Sequence, residues 1–343
     1  MRENKSSSSG LLAAGNFIVD HVKLIDYYPA EEMLASILEE HSSNGGGPYN
    51  VLMDLARMGA PFPLAAVGLL GRDPAGDWIV EDCRKHGIDT TQLERREGIG
   101  TSYTDAFTVA STGRRTFFHH RGANAAFTGA ETALETSTAR LFYLGYLMLL
   151  DTLDESGPDG RSGASHLLER ASNAGLTTVA DMVSVSRTEL LAGARSALPW
   201  IDHFILNEIE AGQLSSRVLR APGGSLDRKA TEEAAQALLE AGVRRTVTIH
   251  AVEGAVSVSR QGVTWQASLN LPQSCLRGAT GAGDAFAAGW ILGLHEGLEP
   301  ALGLKYGVCA AAACLSDPTP SGGLKPLAEC LALADQHGIR EWE

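Results

Sequence analysis

In Ala279-Thr280-Gly281-Ala282-Gly283-Asp284-Ala285-Phe286 a carboxylate stands directly behind three small residues. Phe286, Trp290, Gly293 and Leu294 then share one face at helical spacing. A turn of small residues entering a helix aims free backbone N–H groups at one point. The helix N-terminus adds partial positive charge there, so the point attracts an anion. Asp284 would repel that anion and is better suited to take a proton from whatever attacks it. The segment thus holds two parts of a phosphoryl-transfer site, an anion cradle and a base. The same residues also make a plain turn with a helix cap, because Gly suits the turn and Asp the cap.

Other places offer matching chemistry. Gly45-Gly46-Gly47 precedes Pro48-Tyr49-Asn50; the glycines let a ligand touch backbone, and Asn50 brings both a donor and an acceptor to a helix start. A flexible loop with an Asn cap fits equally. Gly15 to Asp20 ends a strand with a carboxylate, by default a surface one. Asn207 and Glu210 follow a strand ending at Leu206 and could share a helical face that holds the water ligands of magnesium. The same pair also spells a capping box. Val67 to Gly76 is a turn-rich strand exit.

These residues need a scaffold. Strands are predicted at Leu11–Phe17, Pro63–Leu69, Leu141–Tyr146, Thr177–Asp181, His203–Asn207 and Val247–His250. Helices are predicted at Asn50–Met58, Asp77–His86, Ser165–Ala174, Arg187–Ala192 and Thr231–Ala241. Such alternation argues a mostly parallel sheet covered by helices. Two segments break the rhythm: Asp20 to about Asp26, and Thr101 to His120, a hairpin pattern around Ser111-Thr112-Gly113. Glu299 to Leu315 is rich in Gly, Ala and Cys, which allows tight helix packing or the floor of a flat aromatic pocket.

With 343 residues, 44% of them hydrophobic, the chain can bury a large core. Its net charge of −13 and the absence of a basic stripe argue against nucleic acid. Five cysteines without CxxC spacing suit a reducing cytoplasm. The longest apolar run, Leu141 to Leu150, is too short to span a bilayer. Residues 1–10 are Ser-rich, lack the apolar core of a signal peptide and are expected to be a disordered tail.

Taken in order, these motifs resemble the ribokinase-like sugar kinases of the PfkB family, over about Leu11 to Gly323. The N-terminal signature matches Gly45-Gly46 with Asn50, Asp54 to Gly59, then Gly68, Gly71, Asp73 and Gly76. The C-terminal signature matches Thr280 to Phe286 and Gly289, and an NxxE motif matches Asn207 and Glu210. The resemblance implies an α/β fold, a three-layer ribokinase-like sandwich with a mostly parallel central sheet and a small β lid. It implies one kinase domain over 11–335 with lid segments at about 18–28 and 101–121, and pairing of two copies through the lid. It implies ATP-dependent phosphorylation of a sugar hydroxyl. Asp284 would be the base; Gly281, Ala282 and Gly283 the anion hole; Asp20, Gly46, Gly47, Asn50 and Asn124 the sugar contacts. Asn207, Thr248 and Gly254 would line the nucleotide pocket, with Asn207 and Glu210 organising Mg²⁺ through water.

The chain departs from the pattern in places. Gly278-Ala279 stand where Asp-Thr is usual, which removes support for a monovalent-cation site. Gly47 stands where a Lys is common, and Gly145 or Tyr146 replaces the Glu of ribose kinases, against a plain ribose kinase. His250 stands where a Gly is common. A nucleoside kinase is the alternative, with Tyr103, Phe107 or Phe118 as a base-stacking wall. A catalytically silent binding protein on the same scaffold is another. No GxGxxG, Gly-Lys, HExxH or GxSxG occurs, so dehydrogenase, Walker-type, zincin and serine-hydrolase readings lack support.

Overall fold

The structure is a computed structural model that describes residues 8–130, 132–184 and 190–342. The strands are β1 (Leu11–Gly15), β2 (Ile18–Ile25), β3 (Ile37–Gly45), β4 (Leu64–Gly71), β5 (Asp89–Arg96), β6 (Tyr103–Val109) and β7 (Arg115–His120). They continue with β8 (Leu141–Leu147), β9 (Thr177–Met182), β10 (His203–Asn207), β11 (Thr246–Ala251), β12 (Gly254–Ser259) and β13 (Gly262–Ala267). The helices are α1 (Gly47–Met58), α2 (Pro74–Lys85), α3 (Asp151–Asp154), α4 (Gly163–Asn173) and α5 (Leu191–Ala197). After them come α6 (Glu208–Ser215), α7 (Arg228–Glu240), α8 (Ala282–Glu296), α9 (Pro300–Cys314) and α10 (Leu327–His337).

Nine strands form one sheet in the order β13-β12-β11-β10-β9-β8-β1-β4-β5. Pairings from β5 through β11 are parallel, and β11-β12-β13 is an antiparallel edge. Strand alternation separates two cores. Leu11 and Ala13 pack with α1, α2, α8, α9 and α10. Leu12 and Ala14 face the other way, onto α4, α5, α6 and α7. The result is helix, sheet, helix in three layers, as expected.

The second sheet, β3-β2-β6-β7, has four strands. Segment 101–121 supplies the predicted hairpin, and 18–28 supplies β2. β3 was not predicted: six of its nine residues are exposed, so no buried stripe marks it. It holds by backbone pairing along β2. The predicted helix from Arg187 begins outside the described residues, and the helix present there is α5. Residues 1–7 of the expected tail also lie outside them.

Parallel strands end on one edge, where ligands bind α/β sheets. At that edge stand Asn16 after β1, Tyr146 near the end of β8, Asp181 in β9, Asn207 closing β10 and His250 in β11. Helix α8 starts over this edge. It is clamped to α9 by backbone contact: a Cβ on Gly289 would come 2.6 Å from the Tyr306 carbonyl, and one on Gly293 would come 2.7 Å from the Gly303 Cα.

Candidate active site

Gly281 is the N-cap of α8 at φ 81°, and a Cβ there would meet the Pro320 carbonyl at 2.5 Å. Left-handed backbone and close approach both demand glycine. No side chain caps α8, so its first N–H groups stay free for a ligand. Asp284 sits in that first turn, buried, and does not act as the cap. Its Oδ1 accepts the Tyr146 hydroxyl at 2.6 Å and its Oδ2 accepts Asn50 Nδ2 at 2.8 Å.

Burial raises Asp284 above the ordinary carboxylate range, and these two donors pull it partly back. It is not alone. Burial chiefly, with repulsion from Asp284, pushes Asp20 up to about 7 and raises Asp54 and Asp181. Glu210 is pushed up to about 7 by burial first, with small additions from Glu208 and Asp284. A gathering of buried acids around one helix start is suited to cationic or hydrogen-bonding ligands.

The sequence candidates fall into place unevenly. Asp20 lies on β2 against Gly45, where a Cβ would come 2.3 Å from its Oδ2. Gly46 is the N-cap of α1 at φ 97°. Gly47 donates its N–H to Asn16 Oδ1 at 3.3 Å and faces the Tyr146 ring. Asn124 is spent internally: its Nδ2 donates to the Phe17 carbonyl at 3.1 Å and its Oδ1 accepts the Phe17 N–H at 3.4 Å. It latches the strand exit and offers no free side-chain atom to a sugar. Asn207 and Glu210 form the capping box of α6. Thr248 is wholly buried in β11 with its hydroxyl on Ser257 Oγ, so it does not line the nucleotide pocket as expected. It lies two residues deeper in β11 on the face that His250 shares, and nearer the strand end His250 and Ala251 line the cavity instead.

That cavity, about 630 Å³, runs from Asn207 past His250 and Gly254 to Gly283 and to Ala311 and Ala312 of α9. His250 was not among the candidates. Its ring lies 5.0 Å from the Phe286 ring, and burial lowers it to about 4, so it is neutral at pH 7. A second, smaller space under the small sheet is bordered by Asp20, Ser43, Arg115, Phe117 and Thr280. Arg115, also missed, donates from β7 to Thr280 Oγ1 and joins the small sheet to the anion turn. The proposed aromatic wall is not part of this border, which carries Phe117 rather than Tyr103, Phe107 or Phe118.

Glu210 has both oxygens engaged: Oε2 accepts the Asn207 N–H at 2.8 Å, and Oε1 accepts Ser184 Oγ at 2.8 Å and Asn207 Nδ2 at 2.7 Å. Among the described residues no group of three or more acids, His or Cys could hold a metal. The donor set fits magnesium carried on phosphate and water, not an all-protein cage. At Gly278 a Cβ would meet the Asp317 carbonyl at 2.9 Å, so backbone fills the place of the missing Asp.

Comparison with known proteins agrees with this geometry. The family model for pfkB family carbohydrate kinases matches residues 13–325. The chain belongs to that family, and it is a carbohydrate kinase. The 5-dehydro-2-deoxygluconokinase of Clostridium beijerinckii is 23% identical over 278 residues, 78% of this chain and 77% of the relative. The ribokinase of Arabidopsis thaliana, solved with ribose and ATP, superposes with a TM-score of 0.77 at 18% identity, covering 95% and 98% of the two chains. A Cryptococcus neoformans ribokinase solved with ADP gives 0.73 at 20%, covering 96% and 100%.

Proposed function

We propose that this chain transfers the terminal phosphoryl group of ATP to a hydroxyl of a sugar or sugar-like acceptor, with Asp284 as the general base. The observation that carries this is the position of Asp284: buried in the first turn of the uncapped α8, directly after Gly283, which lines the 630 Å³ cavity, and close in the chain to Thr280, which borders the space under the small sheet. ATP occupies the cavity, its transferable phosphate against the N–H groups of Gly281, Ala282 and Gly283. Asp284 takes the proton of the attacking hydroxyl. Little covalent help is needed in such a transfer, so positioning and charge neutralisation carry it.

Asp20, Gly46, Gly47 and Asn50 border the acceptor, with buried atoms of Asn16, Ser43 and Asn50 left without a protein partner for its hydroxyls. Magnesium, held on phosphate and waters near Asn207 and Glu210, neutralises phosphate charge when bound. Residues 11–335 act as one kinase domain, with the small sheet as a lid that excludes water. Lid residues Ile37, Leu38, Phe117 and Phe118 are more than half exposed and suit pairing with a second copy. The unpaired cysteines suit a cytoplasmic enzyme.

The test is turnover with ATP and Mg²⁺ on a panel of sugars, sugar acids and nucleosides, with ATP binding measured in parallel. Phosphorylation of a sugar or sugar acid is the expected result. ATP binding without turnover on any acceptor would instead establish the silent binding protein.

A further inference from the structure

Asp284 is gripped from two independent elements, Asn50 on α1 and Tyr146 on β8. A carboxylate has about four lone-pair directions. Two donors leave one on each oxygen, so an acceptor hydroxyl can still hand its proton over. A terminal carboxylate torsion is otherwise broad. With one donor the group can turn; with two, on different oxygens, it cannot.

The Tyr146 side of this grip requires space that only glycine leaves. A Cβ on Gly47 would stand 2.8 to 3.0 Å from three atoms of the Tyr146 ring. Gly47 is not among the glycines with left-handed φ, so its backbone does not demand glycine. The ring does. Two of the places where this sequence departs from the family pattern, Gly47 and the Gly145-Tyr146 pair, therefore meet in one device. Tyr143, three residues earlier on the same strand, sends its hydroxyl elsewhere, to Asp181 Oδ2 at 3.1 Å.

We infer that Tyr146 is the positioning residue for the base: its hydroxyl fixes the orientation of the Asp284 carboxylate, and Gly47 exists to admit its ring. This rests on the reading of Asp284 as general base. The hydroxyl itself takes no part in proton transfer, because burial and the neighbouring acids hold its own ionisation far up. Other groups also act on Asp284: Asp20 from the lid, Asp54 from α1, Tyr143 from β8, Asp181 from β9, Glu210 from α6 and Cys314 from α9. Only a change confined to the Tyr146 hydroxyl separates its effect from theirs.

The experiment is steady-state kinetics against pH for Tyr146→Phe, Tyr143→Phe, Gly47→Ala and the Gly47→Ala/Tyr146→Phe pair, with the best acceptor of the panel. Losing a hydrogen bond to a charged group should lower kcat by about ten- to a hundredfold in Tyr146→Phe. Acceptor KM should stay within about threefold. The hydroxyl favours the ionised carboxylate, so removing it moves the acid limb of kcat/KM to higher pH. Tyr143→Phe should leave kcat within a few-fold, and Gly47→Ala should lower kcat alone but add little once the hydroxyl is gone. A Tyr146→Phe enzyme with unchanged kcat and acid limb, or one changed only in acceptor KM or melting temperature, overturns the inference. Asp284→Asn run alongside tests the underlying reading. Retained turnover there removes the base itself, whatever Tyr146→Phe does.

Discussion

Two spaces border the turn that leads into Asp284, and they are built differently. The larger cavity is lined mainly by glycines, alanines, apolar side chains and a neutral His250, with Asn207, Glu208, Arg277 and Arg340 also on its wall. The space under the small sheet is bordered by Asp20, His41, Ser43 and Arg115 among apolar side chains, and buried atoms of Ser43 there and of Asn16 and Asn50 beside the Gly45–Gly47 turn have no partner in the protein. Such groups discriminate sharply, because a ligand that fails to pair them leaves a desolvated polar atom behind. On the proposed reading, the acceptor side is therefore the more exacting of the two.

The sharpest cut is at the boundary itself. Asp284→Asn keeps the shape but cannot take the proton, and should cost ~10²–10⁴ in kcat while ATP binding persists. Near-normal turnover would erase the boundary. Next come the acceptor residues. Asp20→Ala and Asn50→Ala should each lower kcat/KM for the acceptor by about tenfold or more, by loss of a charge-assisted hydrogen bond. The ATP Kd should stay within about threefold in both, whereas residues that merely cap local structure would lose melting temperature and keep acceptor kinetics.

Ala312→Phe probes the opposite compartment. Filling the cavity floor should raise the ATP KM about tenfold and leave the acceptor KM alone. Movement of both constants would mean that the two sides are not separate. The smallest effect is on stability. Asp20 and Glu210 are both raised to about 7 by burial. The folded state therefore holds protons that the unfolded chain has already lost, and stability falls as pH rises from the ordinary carboxylate range through about 7. Melting temperature of the ligand-free protein should drop from pH 5 to pH 8, and Asp20→Asn should flatten that slope. An unchanged slope would mean that Asp20 is ionised and solvated in the folded chain.

Legibility in the sequence follows the same division. The anion turn, Asp284 and the parallel strands could be read because each is local: small residues before an acid, apolar runs between amphipathic helices. On the acceptor side Asp20, Gly46, Gly47 and Asn50 could be named, but not the distant residues that join them. Tyr146 lies 138 residues from Asp284 in the chain, and it stood out only as a residue out of pattern. Asn124 looked like a contact and is a latch, because only the fold shows that Phe17 uses both ends of its amide. Thr248 shares a strand face with His250, and only the fold shows that His250, nearer the strand end, is the one that reaches the cavity. Asn207 and Glu210 were readable as a capping box or as magnesium organisers, and the box is present. β3 escaped because an exposed polar strand carries no apolar alternation.

The seam between α8 and α9 has a mechanical meaning. Besides the approaches at Gly289 and Gly293, Gly303 abuts Trp290 and Gly307 abuts Phe286, so the two helices interlock along their length. Interiors packed this closely transmit displacement instead of absorbing it. The pair therefore behaves as one stiff beam, with Asp284 at the head of one member and the cavity floor on the other. A lid of the kind proposed above would then move as the small sheet, whose strand β3 leads straight into the Gly45–Gly47 turn. Amide hydrogen exchange should be slowest along the beam and fastest in the small sheet.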